Sequence, residues 1–180
     1  MKLNKRGFCQ RPTNALRSLV LSLLLCSLAT SLRAAPRHVY LTWQDDTSTT
    51  ITVNYQTMEG SDSSSVYYDT EPRHGDVAKY RYRTTGSRHQ IPALADGRWI
   101  HWVELKNLAP GKSYYFTAGS TTNGFTAERQ FRTVPNGNQT VRFVNGGDMG
   151  AGPELDILLP LAAKREPQFA VIGGGGAGKP

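Results

Sequence analysis

The stretch Leu108-Ala109-Pro110-Gly111-Lys112-Ser113-Tyr114 indicates the fold class more sharply than any other part of the sequence. It combines a leucine, a Pro-Gly turn and a tyrosine six residues after the leucine. This spacing is typical of a tyrosine corner, in which the hydroxyl of a tyrosine entering a strand bonds to a backbone group upstream. We therefore predict that Tyr114 enters a strand of a β-sandwich and that Tyr115 faces the other side of it. Ligand stacking by Tyr114 is the alternative.

Short runs of β-branched and aromatic residues surround this corner on both sides, and polar or Gly/Pro turns separate them. Helical periodicity is absent from the same region. The runs are HVYLTW, TTITVNYQT, SSVYYDT, AKYRYRTT, IHWVELKNL, SYYFTAG and ERQFRTV, at residues 38–43, 49–57, 64–70, 78–85, 100–108, 113–119 and 128–134. Seven such runs predict a seven-stranded antiparallel β-sandwich over residues 36–135.

The net charge of +7 comes almost entirely from the first 35 residues of the 180-residue chain. Six of the 21 basic residues lie there without any acid, which leaves 15 basic against 14 acidic residues in the remainder, a net charge of +1. The body of the chain therefore lacks the basic surface that a nucleic-acid backbone requires. Binding of DNA or RNA is excluded on this ground.

The basic N-terminus is followed by an apolar run, LVLSLLLCSL at residues 19–28, and then by small residues. This is the layout of a secretory signal peptide. The run is about half the length of a membrane-spanning helix, which needs about 20 residues. Residues 1–35 therefore predict export, to the periplasm or outside the cell, with no stable membrane span. Both cysteines, Cys9 and Cys26, lie in this segment, so no disulfide is expected in the mature chain.

The composition changes at residues 136–140, a linker of turn-forming residues. A strand, a tight loop, a helix and a second strand are predicted after it, at residues 141–144, 145–150, 153–165 and 168–172. This order predicts a βαβ unit and a parallel sheet. Two strands and one helix cannot cover both faces of such a sheet. Residues 141–180 are therefore expected to be the truncated start of a second domain, with uncovered apolar faces.

The loop Asn145-Gly146-Gly147-Asp148-Met149-Gly150 is the strongest candidate for chemistry. Open α/β sheets bind ligands at the carboxyl ends of their strands, where this loop is predicted. Its glycines let the backbone turn sharply and present Asp148, whose carboxylate suits iron, manganese, magnesium or zinc. A lone aspartate in a Gly-rich turn also serves as a capping or turn residue, and the spacing alone leaves both roles open.

Several segments, in their order along the chain, resemble the purple acid phosphatases. Besides the corner stretch they are Pro36-Arg37-His38-Val39, Ile100-His101-Trp102-Val103-Glu104-Leu105, Glu128-Arg129-Gln130-Phe131-Arg132-Thr133 and VRFVNGGDMG at residues 141–150. The resemblance covers roughly residues 36–175 and implies a fibronectin type III-like N-terminal domain followed by a calcineurin-like metallophosphoesterase domain. It also implies that Asp148, in the family motif Gly-Asp-x-Gly, is the first iron ligand of a two-metal site.

The second metal motif implied by the resemblance, Gly-Gly-Asp-x-x-Tyr, is altered here. Its aspartate bridges both metals and its tyrosine binds iron, but Gly175 and Gly178 occupy these positions. The later Asn and His motifs would lie beyond Pro180. Two-metal hydrolysis needs several fixed ligands. We therefore expect that this chain does not stably hold the family's binuclear metal, iron with iron, zinc or manganese, and that it does not hydrolyse phosphomonoesters by itself.

Residues 173–179 also spell Gly-x-x-x-x-Gly-Lys after an apolar strand, which is the spacing of a phosphate-binding P-loop. Residue 180 is a proline, so the hydroxyl that binds magnesium is missing. Export would also separate the chain from nucleoside triphosphates. We therefore prefer to interpret this segment as a plain Gly-rich stretch.

Histidines and tryptophans are scattered over the predicted strands without a spacing that would pair them. Surface or edge positions are expected for His38, His74, His89 and His101. Packing in the core or at an edge is expected for Trp43, Trp99 and Trp102, with a carbohydrate platform as the alternative.

These features together predict a secreted purple acid phosphatase-like polypeptide, truncated and inactive by itself. The reaction implied by the resemblance is metal-dependent hydrolysis of phosphomonoesters. The alternative is a non-enzymatic extracellular β-sandwich that acts as a binding or spacer module, whose partner the sequence does not identify.

Overall fold

A computed structural model describes residues 35–58, 63–94, 96–147 and 152–173. The first eight strands of this part of the chain are β1 (Arg37–Thr42), β2 (Ile51–Thr57), β3 (Ser64–Asp69), β4 (Tyr82–Gln90), β5 (Trp99–Leu105), β6 (Ser113–Ser120), β7 (Gly124–Phe125) and β8 (Arg129–Arg132). They are followed by β9 (Phe143–Gly147), α1 (Glu154–Ala163) and β10 (Phe169–Gly173).

Strands β1 to β8 form a curled antiparallel sandwich of two layers. One layer has the order β1-β2-β5, and the other has the order β4-β3-β6, with β7 and β8 both paired to β6. All seven predicted runs contribute a strand, and the two-residue β7 is added to them. The predicted mainly β fold, with the layers of a fibronectin type III-like sandwich, is therefore confirmed.

Strand β4 belongs to both layers. Its first half, up to Gly86, pairs with β3, and its second half, from Ser87, pairs with β5. The sequence run at residues 78–85 predicted this strand too early, because residues 87–90 carry no apolar signal. At the crossover the two backbones meet so closely that a Cβ on residue 86 would overlap the carbonyl oxygen of Trp102. Glycine is therefore the residue that fits there.

The hydrophobic core lies between the two layers. Strands β2 and β5 pair with Ile51 opposite Leu105 and Val53 opposite Val103, and all four side chains face inward. The core residues are Ile51, Val53, Tyr55, Val66, Tyr68, Val103, Leu105, Leu108, Tyr114, Phe116, Ala118 and Phe131. Burial of each large apolar side chain contributes roughly 1.5–3 kcal/mol.

The tyrosine corner forms as predicted. The backbone N–H of Ala109 donates a hydrogen bond of 2.9 Å to the hydroxyl of Tyr114, which is buried at the start of β6. Tyr115 is only partly buried, as expected for its neighbour on the opposite face of the strand. The structural interpretation of Tyr114 is therefore confirmed.

Strands β9 and β10 pair in parallel, with α1 between them in the chain, so the predicted βαβ unit is present. The predicted tight loop began at Asn145, which is wrong, because residues 145–147 continue β9 in register with β10. No residue of α1 is buried, and four of its apolar side chains are at least half exposed: Ile157, Leu158, Leu159 and Leu161. In the described part of the chain no helix has the length and apolar character needed to cross a bilayer.

Candidate functional site

The carboxyl ends of β9 and β10 form the edge where the sequence predicted chemistry. Gly147 lies opposite Gly173 in the parallel register, so the chain leaves the sheet at adjacent points. Asp148 follows Gly147 directly and lies outside the described residues, as do Gly175 and Gly178. The described ends of β9 and β10 therefore lie next to each other, and the role of Asp148 stays a prediction.

The structure explains why residue 147, at this edge, is a glycine. A Cβ on this residue would lie 2.9 Å from the carbonyl oxygen of Gly173, which is closer than real Cβ contacts. Any side chain here would push β9 and β10 apart. The glycine before Asp148 thus lets the two strand ends approach closely.

The amino end of the same strand pair packs against the sandwich through aromatic side chains. Phe143 and Phe169 stack across the pair with ring centroids 5.4 Å apart, and Trp43 packs edge-on against Phe169 at 5.1 Å. Arg142 accepts a hydrogen bond of 2.8 Å at its carbonyl from Gln168 N–H. The sandwich therefore contacts the strand pair at the end opposite the candidate edge.

Few side-chain donors reach the candidate edge from the described residues. The last residues of the two strands are Asn145, Gly146 and Gly147 on β9, and Ile172 and Gly173 on β10. Only Asn145 among them carries a side-chain oxygen. Within residues 35–58, 63–94, 96–147 and 152–173, no group of three or more His, Cys, Asp or Glu side chains is placed to hold a metal.

His101 is fully buried in the sandwich, so its predicted position at a surface or edge is wrong. Its ring stacks on Tyr55 with centroids 4.4 Å apart. Nδ1 is 2.8 Å from Ser64 Oγ and Nε2 is 2.9 Å from Thr57 Oγ1, so both ring nitrogens are hydrogen-bonded. Burial, together with the positive charge of Arg88, lowers the pKa of His101 to about 4. The imidazole is therefore neutral near pH 7 and serves the core.

The three tryptophans occupy different environments. Trp43 is partly buried against the core and Phe169. Trp99 lies under the guanidinium of Arg88, 4.6 Å from its ring centroid. Trp102 differs from both, because 51% of it is exposed on the outer face of β5. The expected core or edge packing is thus correct for Trp43 and Trp99 and wrong for Trp102.

Two carboxylates that the sequence did not indicate as important stabilise the loop between β3 and β4 through hydrogen bonds. Asp69 accepts hydrogen bonds from Arg73 Nε at 2.9 Å and from the Arg81 backbone N–H at 3.1 Å. Glu128 accepts hydrogen bonds from the Arg73 backbone N–H and the Tyr80 hydroxyl, both at 2.6 Å. Burial alone would raise both pKa values, but these donors outweigh it and hold the pKa of each carboxyl below its usual range. No local signal reveals the network, because Arg73 and Glu128 are 55 residues apart.

The family model of the purple acid phosphatase N-terminal domain matches residues 36–133, more than half of the chain. The matched range contains all eight strands of the sandwich. The chain belongs to the purple acid phosphatase N-terminal domain family. The resemblance seen in the sequence motifs is therefore confirmed for the sandwich.

The chain also has a distant likeness to solved structures. "Structure of PhoD" is 14% identical with a TM-score of 0.42, over 62% of this chain and 22% of that chain. Astrotactin-2, described as "a conserved vertebrate-specific and perforin-like membrane protein involved in neuronal development", is 14% identical with a TM-score of 0.41, over 58% of this chain and 23% of that chain. The chain thus spans less than a quarter of either protein. No curated protein matches it.

The binuclear metal of the purple acid phosphatases does not fit the donor set of the described residues. A two-metal centre needs several oxygen and nitrogen ligands in fixed positions. The described edge offers the amide oxygen of Asn145, and the adjoining sequence adds the carboxylate of Asp148 and glycines at 175 and 178. These donors are too few to hold two metal ions.

Proposed function

We propose that this polypeptide is an exported purple acid phosphatase-type protein whose chain supplies the sandwich and the first parallel strand pair, without a complete catalytic centre. The family reaction, hydrolysis of a phosphomonoester, would then need metal ligands that these residues do not provide. Export is supported by the basic and apolar N-terminal segment. The family match over residues 36–133 supports the assignment to the purple acid phosphatase family.

The main observation behind the proposal is the register in which β9 pairs with β10. Gly147 lies opposite Gly173, so the two strands end at adjacent positions of the sheet. In a complete site the segments that follow both strands would contribute ligands to the same metal pair. Asp148 follows the first strand, but Gly175 follows the second, so one of the two sides lacks its carboxylate.

An activity assay tests the proposal directly. The purified chain is incubated with a chromogenic phosphate ester from acidic to neutral pH, with iron, manganese and zinc added in turn. We expect no turnover above the metal-only blank and no visible absorption band with ferric iron. Metal-dependent turnover that disappears in Asp148→Ala would contradict the proposal.

A matched pair of variants tests the geometry of the edge separately. Gly175→Asp combined with Gly178→Tyr restores the two side chains that the family motif has at these positions. We expect this double variant to bind ferric iron more tightly than the unaltered chain, and to lose that gain when Asp148→Ala is added. An equal gain with and without Asp148 would show that the two segments do not share a site.

A second candidate function is that of an extracellular binding module. The observation that favours it is the exposed Trp102, which borders a cavity lined by polar side chains on the outer face of the sandwich. The two functions predict different readouts, since a binding module retains a ligand without turning over an ester.

A further inference from the structure

A cavity of about 380 Å³ lies on the outer face of the sandwich, away from the candidate edge. Ligand pockets in proteins span roughly 300–1,000 Å³, so the volume suits a small ligand or one unit of a larger one. The cavity is lined by Gln44, Thr52, Thr85, Gly86, Ser87, Trp102, Glu104 and Lys106. Seven of these eight residues carry side chains that donate or accept hydrogen bonds.

The strand register explains why these residues share one face. Thr52 on β2 lies opposite Glu104 on β5, and Ser87 on β4 lies opposite Trp102 on β5. Residues directly opposite each other in antiparallel strands point to the same side of the sheet. Their neighbour Val103 points into the core, so this set faces away from it.

Trp102 provides a flat apolar platform at this cavity. Half of the residue is exposed, and its ring makes an edge contact with His89 at 4.6 Å between centroids. A ligand that stacks on the indole removes this apolar surface from water, which favours binding. A contact that restrains the indole lowers the entropy that a ligand must overcome when it stacks there.

Thr52 supplies an independent indication of a ligand. Only 3% of the residue is exposed, yet its Oγ1 atom has no hydrogen-bond partner among the described residues. Buried hydroxyls are almost always satisfied, because an unmade hydrogen bond costs free energy. The same side chain lines the cavity, so a ligand hydroxyl placed there would complete the missing hydrogen bond.

The charges at the cavity limit the kind of ligand. Glu104 and Lys106 form an ion pair of 2.8 Å and both line the cavity, so its charged side chains cancel. A phosphate or another ion would find no charged side chain that is not already paired. A wholly apolar ligand would leave the polar side chains without hydrogen bonds. A neutral molecule with one apolar face and a rim of hydroxyl groups satisfies both conditions.

We propose that this cavity binds a pyranose unit of a glycan. The C–H face of the sugar ring stacks on the indole of Trp102. Its hydroxyls bond to Thr52 Oγ1 and to the ion-paired Glu104 and Lys106. This role is independent of phosphoester hydrolysis, since it uses the outer face of the sandwich.

Binding is tested on the purified chain with neutral hexasaccharides of glucose in α and β linkage, N-acetylglucosamine, mannose, xylose and galactose. Isothermal titration and the fluorescence of tryptophan are recorded together. We expect saturable binding of at least one hexasaccharide, with a change in indole emission. Absence of saturable binding by all six would overturn the proposal.

Variants separate a binding role from a structural one. Trp102→Ala should weaken binding by at least about tenfold, because the stacking platform is lost. Thr52→Val should weaken it by about threefold or more without lowering the melting temperature, because the free protein has no bond to lose there. Tyr82→Ala, which removes an exposed aromatic outside the cavity, is the control and should leave the affinity unchanged. Equal affinities of Trp102→Ala and the unaltered chain would overturn the proposal.

Discussion

His101 shows how a single buried polar residue can link the stability of the sandwich to pH. Its ring lies between the side chains of Thr57 and Ser64, and it is neutral because burial disfavours the imidazolium. In the unfolded chain the same residue has its ordinary pKa near 6.5. The folded state therefore binds fewer protons than the unfolded state between these two pKa values.

This difference predicts a loss of stability in mild acid. The contribution of His101 is fully present above about pH 6.5, and it is lost as the pH falls toward the folded pKa of about 4. The whole loss is about 3 kcal/mol, since each pKa unit corresponds to about 1.4 kcal/mol. Urea unfolding of the full chain at pH values from 7 to 4 measures it.

The control for this prediction is a second histidine. His38→Gln, at an exposed position, should leave the pH dependence as it is, whereas His101→Gln should lower stability at pH 7 and flatten the slope. Identical slopes for the two variants would contradict the assignment. Asp69 and Glu128, whose pKa values are lowered, add a separate loss at more acidic pH, as the pH falls through their folded pKa values.

The role of a side chain could be predicted from the sequence only where its hydrogen-bond partner lies close to it in the chain. The partner of Tyr114 is only five residues away, at Ala109, so a short motif was enough to assign its hydrogen bond. The partners of His101 are 37 and 44 residues away, at Ser64 and Thr57. Those contacts exist only after β2, β3 and β5 have assembled, so composition and periodicity could not indicate them.

At the scale of elements, the crossing of β4 between layers joins the sandwich into one continuous sheet. Pairing with β3 ends at Gly86, and pairing with β5 begins at Ser87. The crossover needs two backbones in direct contact, which a side chain would prevent. The fold therefore depends on one glycine within a nine-residue strand.

The change Gly86→Ala tests this dependence. We expect it to lower the free energy of unfolding by about 2–4 kcal/mol, because the added methyl must displace the carbonyl of Trp102 or the whole of β5. Chemical denaturation at neutral pH measures the effect. Gly173→Ala is the control, since a Cβ there meets nothing within 4 Å, and the unfolding of the sandwich should not change. A small, equal effect of both changes would show that β4 can move away from β5.

The elements at the candidate edge were predicted better than its chemistry. A strand, a helix and a strand were expected after residue 140 and are present, because apolar runs and turn residues report backbone type locally. The close approach of Gly147 to Gly173 was not foreseen, since it depends on the register between two strands 26 residues apart. A ligand set depends on such registers, which periodicity does not contain.

At the scale of the whole molecule, the sandwich and the βαβ unit differ in how they bury their apolar residues. The sandwich encloses its core between two layers, whereas α1 has no buried residue. Trp43 links the two parts through Phe169, beside a cavity of about 540 Å³ formed with β1, β8 and β10. This difference suggests that the sandwich supplies most of the stability.

A domain boundary after residue 135 stays a prediction, which the contacts around this position help to design a test for. Val134 still belongs to the sandwich, because its N–H donates to the carbonyl of Thr47 at 3.2 Å and its carbonyl accepts from Gly111 at 3.3 Å. Residues 136–140, by contrast, are all exposed. A fragment that ends at residue 135 therefore keeps both of these hydrogen bonds.

We expect a fragment of residues 36–135 to fold by itself and to unfold in one cooperative transition. Compared with a chain of residues 36–180, this fragment lacks the contact of Trp43 with Phe169. An aromatic pair of this kind contributes about 0.5–1.5 kcal/mol to the free energy of unfolding. For a domain of this size that corresponds to a fall in melting temperature of up to roughly 10 °C.

A shorter fragment, residues 36–127, lacks β8 and the core residue Phe131, so it should show no cooperative transition. Thermal unfolding followed by circular dichroism compares the three chains. If residues 36–135 melt without cooperativity while residues 36–180 melt sharply, the βαβ unit is part of the folding core and the boundary lies elsewhere.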